Sequence, residues 1–326
     1  LTQISTYKLL PILKPGFSRY LDLSLPKKIT SLINKDQFDS VIWEHPYMGW
    51  IAKRVKNKTG IRTIIHTHNI EYQRFRSLGK WWWPLLKMYE KRALKKADQS
   101  FYVTEDDRNF VVNNWNIEVK KTSIVPFGVD ISEHPADKSN VQQMIKEKHG
   151  ISTEEKILLF NGVLNYKPNL DALKIIIEKI NPLLIQHQLS YKIIICGRDL
   201  PEYLNQLEDY KSKNIIYTGF VVDIESYFKA ADIFLNPVLS GGGIKTKIVE
   251  AIAYGATVIS TETGAIGLDK EVCGNKLQLV RDNEWNAFAD HIIEETRKKQ
   301  EKTPSGYYDQ YCWEKIIERL LSSTFT

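Results

Sequence analysis

Apolar positions along this chain follow two rhythms. In the second half, short apolar runs recur at 157–161, 191–196, 215–217, 233–236, 257–260 and 276–280. Between them, apolar residues fall three and four apart. In the stretch 171–186 that spacing puts Leu173, Ile176, Ile177 and Ile180 on one helical face. Strands alternating with amphipathic helices predict an α/β domain, a parallel sheet doubly wound by helices on both faces. The first half repeats the pattern less cleanly, with candidate strands at 40–44, 62–67, 99–104 and 123–126 and its longest helix at about 85–96. It predicts a second Rossmann-like domain. The polar stretch 128–150, with Pro135 inside it, reads as a linker, and 307–323 reads as one helix burying Trp313, Ile316, Ile317 and Leu320. No internal repeat or low-complexity tract interrupts the pattern.

Composition narrows the class. The chain has 326 residues, enough for two domains that each bury a core. Its 43% hydrophobic and 26% charged residues exclude a disordered chain. Cys196, Cys273 and Cys312 are too scattered for a disulfide framework or a metal-ligand spacing, so a reducing compartment is expected. No signal peptide is read, and no apolar run approaches the roughly 20 residues that span a bilayer. The net charge of +6 is unevenly placed: residues 1–130 hold 22 Lys and Arg against 12 Asp and Glu. A basic first half favours an anionic partner or a membrane surface. Nucleic acid is not expected, because neither a zinc finger nor a basic-aromatic RNA motif occurs.

The candidate chemistry concentrates after the 233–236 strand. Gly241, Gly242 and Gly243 precede a helix expected to start near Ile244, with Lys245 and Lys247 at its N-terminal end. Glycines let backbone approach a ligand, and a helix N-terminus offers free N–H groups to an anion such as a diphosphate. The loop alone is equally a turn with a solvated lysine face. Glu250, among Ile248, Val249, Ala251 and Ile252, tilts the choice. A carboxylate on a mostly apolar helix needs a partner, and a ribose diol would serve. Thr263 opens another glycine loop after the 257–260 strand, at the sheet edge where open α/β folds bind ligands.

The run from Gly241 through Lys247 and Glu250 to Gly255 resembles the signature of family 4 glycosyltransferases, retaining enzymes of GT-B fold. Their usual Glu-x7-Glu pattern keeps its second Glu as Glu250, whereas Gly242 replaces the first and Ala256 replaces the proline that follows. The form resembles a subgroup lacking that first Glu. Other pieces follow in family order: Gly162 with Lys167, Gly197 with Arg198, Gly219 with Phe220 and Val221, a hinge at Gly128, Val129 and Asp130, and Trp313 opening a final helix. The resemblance spans about 38–326 and implies two Rossmann-like domains facing a cleft. They are expected at 1–130 (acceptor side) and 131–306 (nucleotide-sugar side), with 307–326 crossing back to the first. The family's first strand and glycine loop are missing, so the first domain is expected to be incomplete here.

That resemblance implies transfer from a nucleotide-diphosphate sugar to a glycan or lipid-linked acceptor, in surface polysaccharide or glycoconjugate synthesis. The setting would be cytoplasmic or at the inner membrane surface. Lys167 and Lys247 are expected to stabilise the leaving diphosphate without metal or other cofactor, since no Asp-x-Asp clamp occurs. No carboxylate pair suits double displacement, so front-face attack is expected. In the first domain His68, in the sequence His68-Asn69-Ile70-Glu71, matches the family's cleft histidine, with Asn69, Glu71, Arg74 and the pair Glu44-His45 at another strand's end as acceptor-side candidates. Trp81, Trp82 and Trp83 beside Arg74, Arg76 and Lys80 suit a membrane interface or lipid-linked acceptor, but a helix stapled to its core is the favoured reading. A nonenzymatic nucleotide-sugar-binding subunit and a GT-B epimerase remain the alternatives. A dinucleotide oxidoreductase is disfavoured because no Gly-x-Gly-x-x-Gly follows a strand.

Overall fold

The structure, a computed structural model, describes residues 24–77, 79–241 and 243–324. The chain forms two compact units that divide between Val125 and Pro126.

The first unit holds a parallel sheet of β1 (Ser40–Glu44), β2 (Arg62–Thr67), β3 (Gln99–Tyr102) and β4 (Thr122–Ile124), in the order β1-β2-β3-β4. Ile51, Val55, Ile65, Tyr102 and Trp115 anchor its core. The helix Trp83–Lys96 starts with a proline in its first turn, where no N–H is needed, and buries Leu86, Glu90, Ala93 and Leu94. β3 stops at Tyr102, short of the predicted 104. Thr104 instead caps the helix Glu105–Trp115, its hydroxyl accepting the Asp107 N–H at 3.1 Å.

The second unit is a six-stranded parallel sheet: β5 (Lys156–Asn161), β6 (Tyr191–Cys196), β7 (Ile215–Gly219), β8 (Ile233–Asn236), β9 (Thr257–Thr261) and β10 (Leu277–Val280). The order β10-β9-β8-β5-β6-β7 reverses between β8 and β5. Alternate residues feed two cores, Ile157 and Leu159 on one face and Leu158 and Phe160 on the other. Both faces are therefore covered, as parallel sheets require.

Three sequence expectations change here. The predicted helix 171–186 is three pieces, Lys167–Ile175, a π-helical turn Ile176–Ile180 and Asn181–Gln186, because Pro182 lacks the N–H that would continue the ladder. The predicted linker 128–150 contains the helix Lys138–His149, anchored where the Lys138 ammonium donates to the carbonyls of Lys229 and Ala231. The predicted helix 307–323 breaks at Cys312 into Ser305–Tyr311 and Trp313–Thr324. Cys312 turns extended to bridge Val129, whose N–H donates to the Tyr311 carbonyl and whose carbonyl accepts from Trp313. Ile316 is buried there, but Ile317 is exposed, against its predicted place in the stripe. Among the described residues no helix is long and apolar enough to cross a membrane.

Candidate functional site

The order reversal in the second sheet falls between β8 and β5, and the carboxyl ends of strands at such a switch point are the usual ligand position in open α/β sheets. Asn161 ends β5 and Asn236 ends β8, and the side-chain oxygen of each is buried with no partner among the described residues. The backbone is crowded there. A Cβ on Gly197 would lie 2.1 Å from the Gly162 carbonyl oxygen, and one on Gly264 would lie 2.4 Å from the Asn236 amide nitrogen. Only glycine allows these loops to meet.

The two glycine-loop lysines point inward. Lys245 ends the loop, and the helix begins one residue later, at Thr246, two residues past the expected start. The Lys245 ammonium donates to the carbonyls of Gly241 and Gly243, both at 2.9 Å, and so staples the loop; Gly242 lies outside the described residues. Lys247 donates to the Asn161 carbonyl at 3.3 Å and to the Asn169 side chain at 3.2 Å, with its ammonium 4.6 Å from the Phe160 ring centre. Neither lysine meets a carboxylate among the described residues. Burial brings Lys245 down to about 8; burial and the neighbouring Lys245 charge bring Lys247 down to about 7. Glu250 follows on the same helix, half-buried and without a hydrogen bond or ion pair among the described residues. Burial, with the Glu225 charge added, pushes it up to about 6.

The C-terminal segment clamps this helix from behind. The hydroxyls of Tyr307, Thr303 and Tyr308 donate to the carbonyls of Val249, Ile252 and Ala253, at 2.7, 2.6 and 2.7 Å. Ala253 ends the helix, where carbonyls lack intrahelical partners; Ile252 also accepts the Gly255 N–H, so its hydroxyl contact is a second bond.

The remaining donor-side candidates divide. Lys167 opens its helix but is exposed, and its ammonium pairs with Asp171 at 2.7 Å. Arg198 is exposed beside Asp199, and Phe220 is exposed at the rim. Val221 and Ile244 pack on the core instead. Thr263 is tied to Asp282 through its N–H and its hydroxyl.

The first unit gathers a different cluster at the carboxyl edge of β1 and β2. Register places Glu44 beside His66, and the Glu44 carboxylate lies 3.1 Å from His66 Nδ1 and 2.7 Å from His68 Nε2. Burial opposes its charge, but the two imidazoles outweigh burial and hold Glu44 below the usual carboxylate range. His45 follows at φ 68°, a strained conformation for a residue with a Cβ. Its N–H donates to the His66 carbonyl, and its ring lies 4.3 Å from that of His68. Behind it, fully buried Glu71 accepts the Tyr47 hydroxyl at 2.6 Å and lies 3.5 Å from His45 and 3.4 Å from Arg74. Burial works against the Glu71 charge, yet these partners keep its carboxyl below its ordinary value. The Glu71 and Tyr72 N–H groups donate to buried Glu90, which burial pushes up to about 8. Asn69 is half-buried with its side-chain oxygen unpartnered among the described residues.

Glu44, read with His45 as an acceptor-side candidate, proves to be the carboxylate shared by His66 and His68. Sequence reasoning missed Asn161, Asn236 and Glu90 as site residues. Their one local signal is position, at a strand end for the first two; Glu90 has none, being read as one more polar residue on a helix.

Known proteins resemble this chain at matching places. A family described as Glycosyltransferase Family 4 matches residues 5–133, and one described as Glycosyl transferases group 1 matches residues 155–296. Alpha-monoglucosyldiacylglycerol synthase of Streptococcus pneumoniae is 25% identical over 259 residues, which cover 75% of this chain and 54% of that protein. The chain thus spans about half the length of that relative. A glycosyltransferase of Rickettsia africae superposes with TM-score 0.69 at 15% identity, covering 98% of this chain and 83% of that one. HepE of Anabaena in complex with UDP superposes with TM-score 0.69 at 13% identity, covering 95% and 84%. The fold is GT-B. The two family matches are to glycosyltransferase models, each over less than half of the chain.

Proposed function

We propose that this GT-B chain is a retaining, metal-independent glycosyltransferase that moves a sugar from a nucleotide diphosphate to a glycan or lipid-linked acceptor. One observation carries the reading: two half-buried lysines at the switch point are held by carbonyl and amide oxygens alone, so an incoming diphosphate would be their first full counter-charge. The donor's anomeric C–O bond breaks and its electron pair stays on the departing phosphate oxygen. The acceptor oxygen bonds the same face of the sugar and its proton passes to that phosphate oxygen. Lys247 and the N-terminus of its helix stabilise the charge that develops, with Lys167 as the outer cation. Glu250 accepts from ribose hydroxyls, and the orphaned oxygens of Asn161 and Asn236 suit further hydroxyl donors. His68 is the sugar- or proton-handling residue of the first unit.

The acceptor side favours a lipid-linked glycan or a lipid. Trp81 is 82% exposed and stands with exposed Leu85 and Met88, while Lys80, Lys87, Lys91, Arg92 and Lys95 lie on the same segment. Trp82 and Trp83 instead pack on Phe75 and Tyr72, so the staple expectation fits two tryptophans and the interface expectation fits the third. Basic residues near anionic lipid contribute about 1 kcal/mol each, so a few suffice for reversible docking. The synthase from S. pneumoniae, whose name specifies a glycolipid product, is consistent with that side.

The test is a thermal-shift panel of nucleoside diphosphates and their sugars, then transfer assays with EDTA. One nucleotide should raise the melting temperature in proportion to its affinity, and transfer should survive chelation. No stabilisation by any nucleotide overturns the reading. Loss of transfer on chelation, restored by magnesium or manganese, overturns its metal independence.

A further inference from the structure

The donor atoms of Glu44, His66 and His68 all lie within 4.8 Å of one another. Two features bring them together. Parallel register sets Glu44 beside His66, and His68 follows two residues later on the same edge. The His45 ring, 3.5 Å from the Glu71 carboxylate, packs at a tilt with its centre 4.3 Å from that of His68 and restricts it. We propose that this triad binds a divalent transition-metal ion of the zinc class.

The donor set decides the class. Two imidazole nitrogens and one carboxylate suit zinc, cobalt, nickel or copper, whereas magnesium and calcium prefer all-oxygen sites. Three protein ligands leave a coordination position open, and the site is accessible: the side chains of Glu44 and His68 are 59% and 44% exposed, while His66, at 15%, forms the floor. In the metal-free chain the Glu44 carboxylate sits between the two imidazoles, so an ion would replace two hydrogen bonds with three coordinate bonds. Lysines are the counter-charge proposed for the donor diphosphate, so the ion is not needed for that role, and the triad stands whether or not the chain transfers sugar.

The experiment titrates the full, untagged chain with zinc by calorimetry, and with cobalt while recording its visible spectrum. One saturable equivalent is expected, with a cobalt spectrum of low coordination number and no competition from millimolar magnesium. E44Q and H68A, both at accessible positions, should each weaken binding by at least the roughly 10–100-fold typical of changes just outside a metal's ligand shell. Circular dichroism confirms that the variants are folded. Absence of one-to-one binding overturns the proposal, as does unchanged zinc affinity in both variants, which would place the ion elsewhere.

Discussion

The two clusters of ionisable groups follow opposite rules. On the first unit each imidazole meets a carboxylate, and burial of Glu71 is matched by Tyr47, His45 and Arg74. On the second unit half-buried Lys245 and Lys247 lie against neutral oxygens, and Glu250 has no partner among the described residues. The first cluster is internally compensated, so the fold without ligand holds its charges at little cost. The second keeps its charges uncompensated, which weakens the empty fold and strengthens it for an anion.

The largest expected effect breaks this contrast directly. K247M keeps the length of the side chain but removes the charge. Affinity for the stabilising nucleoside diphosphate should fall by about 1.5–3 kcal/mol, the worth of a charged hydrogen bond. The empty variant should melt no lower than the parent. Calorimetry and thermal melts together decide, and a large loss of stability without a loss of affinity would reverse the assignment. E71Q is the mirror experiment. Removing a buried charge from its partners should lower stability by about 1–3 kcal/mol, the solvent around Arg74 and His45 moderating the cost. Denaturant titration measures it, and nucleotide affinity should not change.

Much of this contrast was readable in the chain before its structure. The loop from Gly241 to Glu250 is local, so its glycines, lysines and carboxylate announce an anion site within ten positions. β1, β2, β6 and β8 fall where alternation placed them, because each is a strong apolar run. What could not be read depends on distant pairing. Lys247 meets Asn161 and Asn169 across 86 and 78 positions, and no local pattern carries that contact. Lys167, which looked equivalent to Lys247, turns outward to an acid one helical turn away. The helix Lys138–His149 was missed because its exposed face is polar and its burial comes from a partner 79 to 93 positions on.

The next prediction sharpens the contrast through pH. Diphosphate binding needs Lys247 protonated, so affinity should fall as pH rises through about 7, by about tenfold per unit for one proton. Ribose binding needs Glu250 ionised, so affinity should also fall as pH drops through about 6. Calorimetry from pH 5 to 9 should therefore give a maximum between about 6 and 7, with the alkaline limb absent in K247M. A flat profile would mean that neither group touches the ligand. The smallest effect tests the clamp: Y307F removes one hydroxyl from the Val249 carbonyl and should cost about 0.5–1.5 kcal/mol of stability. Hydrogen exchange should show faster opening of Thr246–Ala253 than of β5.

That clamp also sets an order of events during synthesis. The carbonyls of Val249, Ile252 and Ala253 emerge 51 to 58 residues ahead of the hydroxyls that donate to them. At about 5–20 residues per second, that is a gap of roughly 3–12 s. All six strands of the second sheet are already made when the gap closes, yet the helix bearing Lys247 and Glu250 is still unsecured. A nascent chain stalled before Thr303 would hold a complete sheet and an immature anion site, so the ribosome finishes this scaffold well before it finishes the machine.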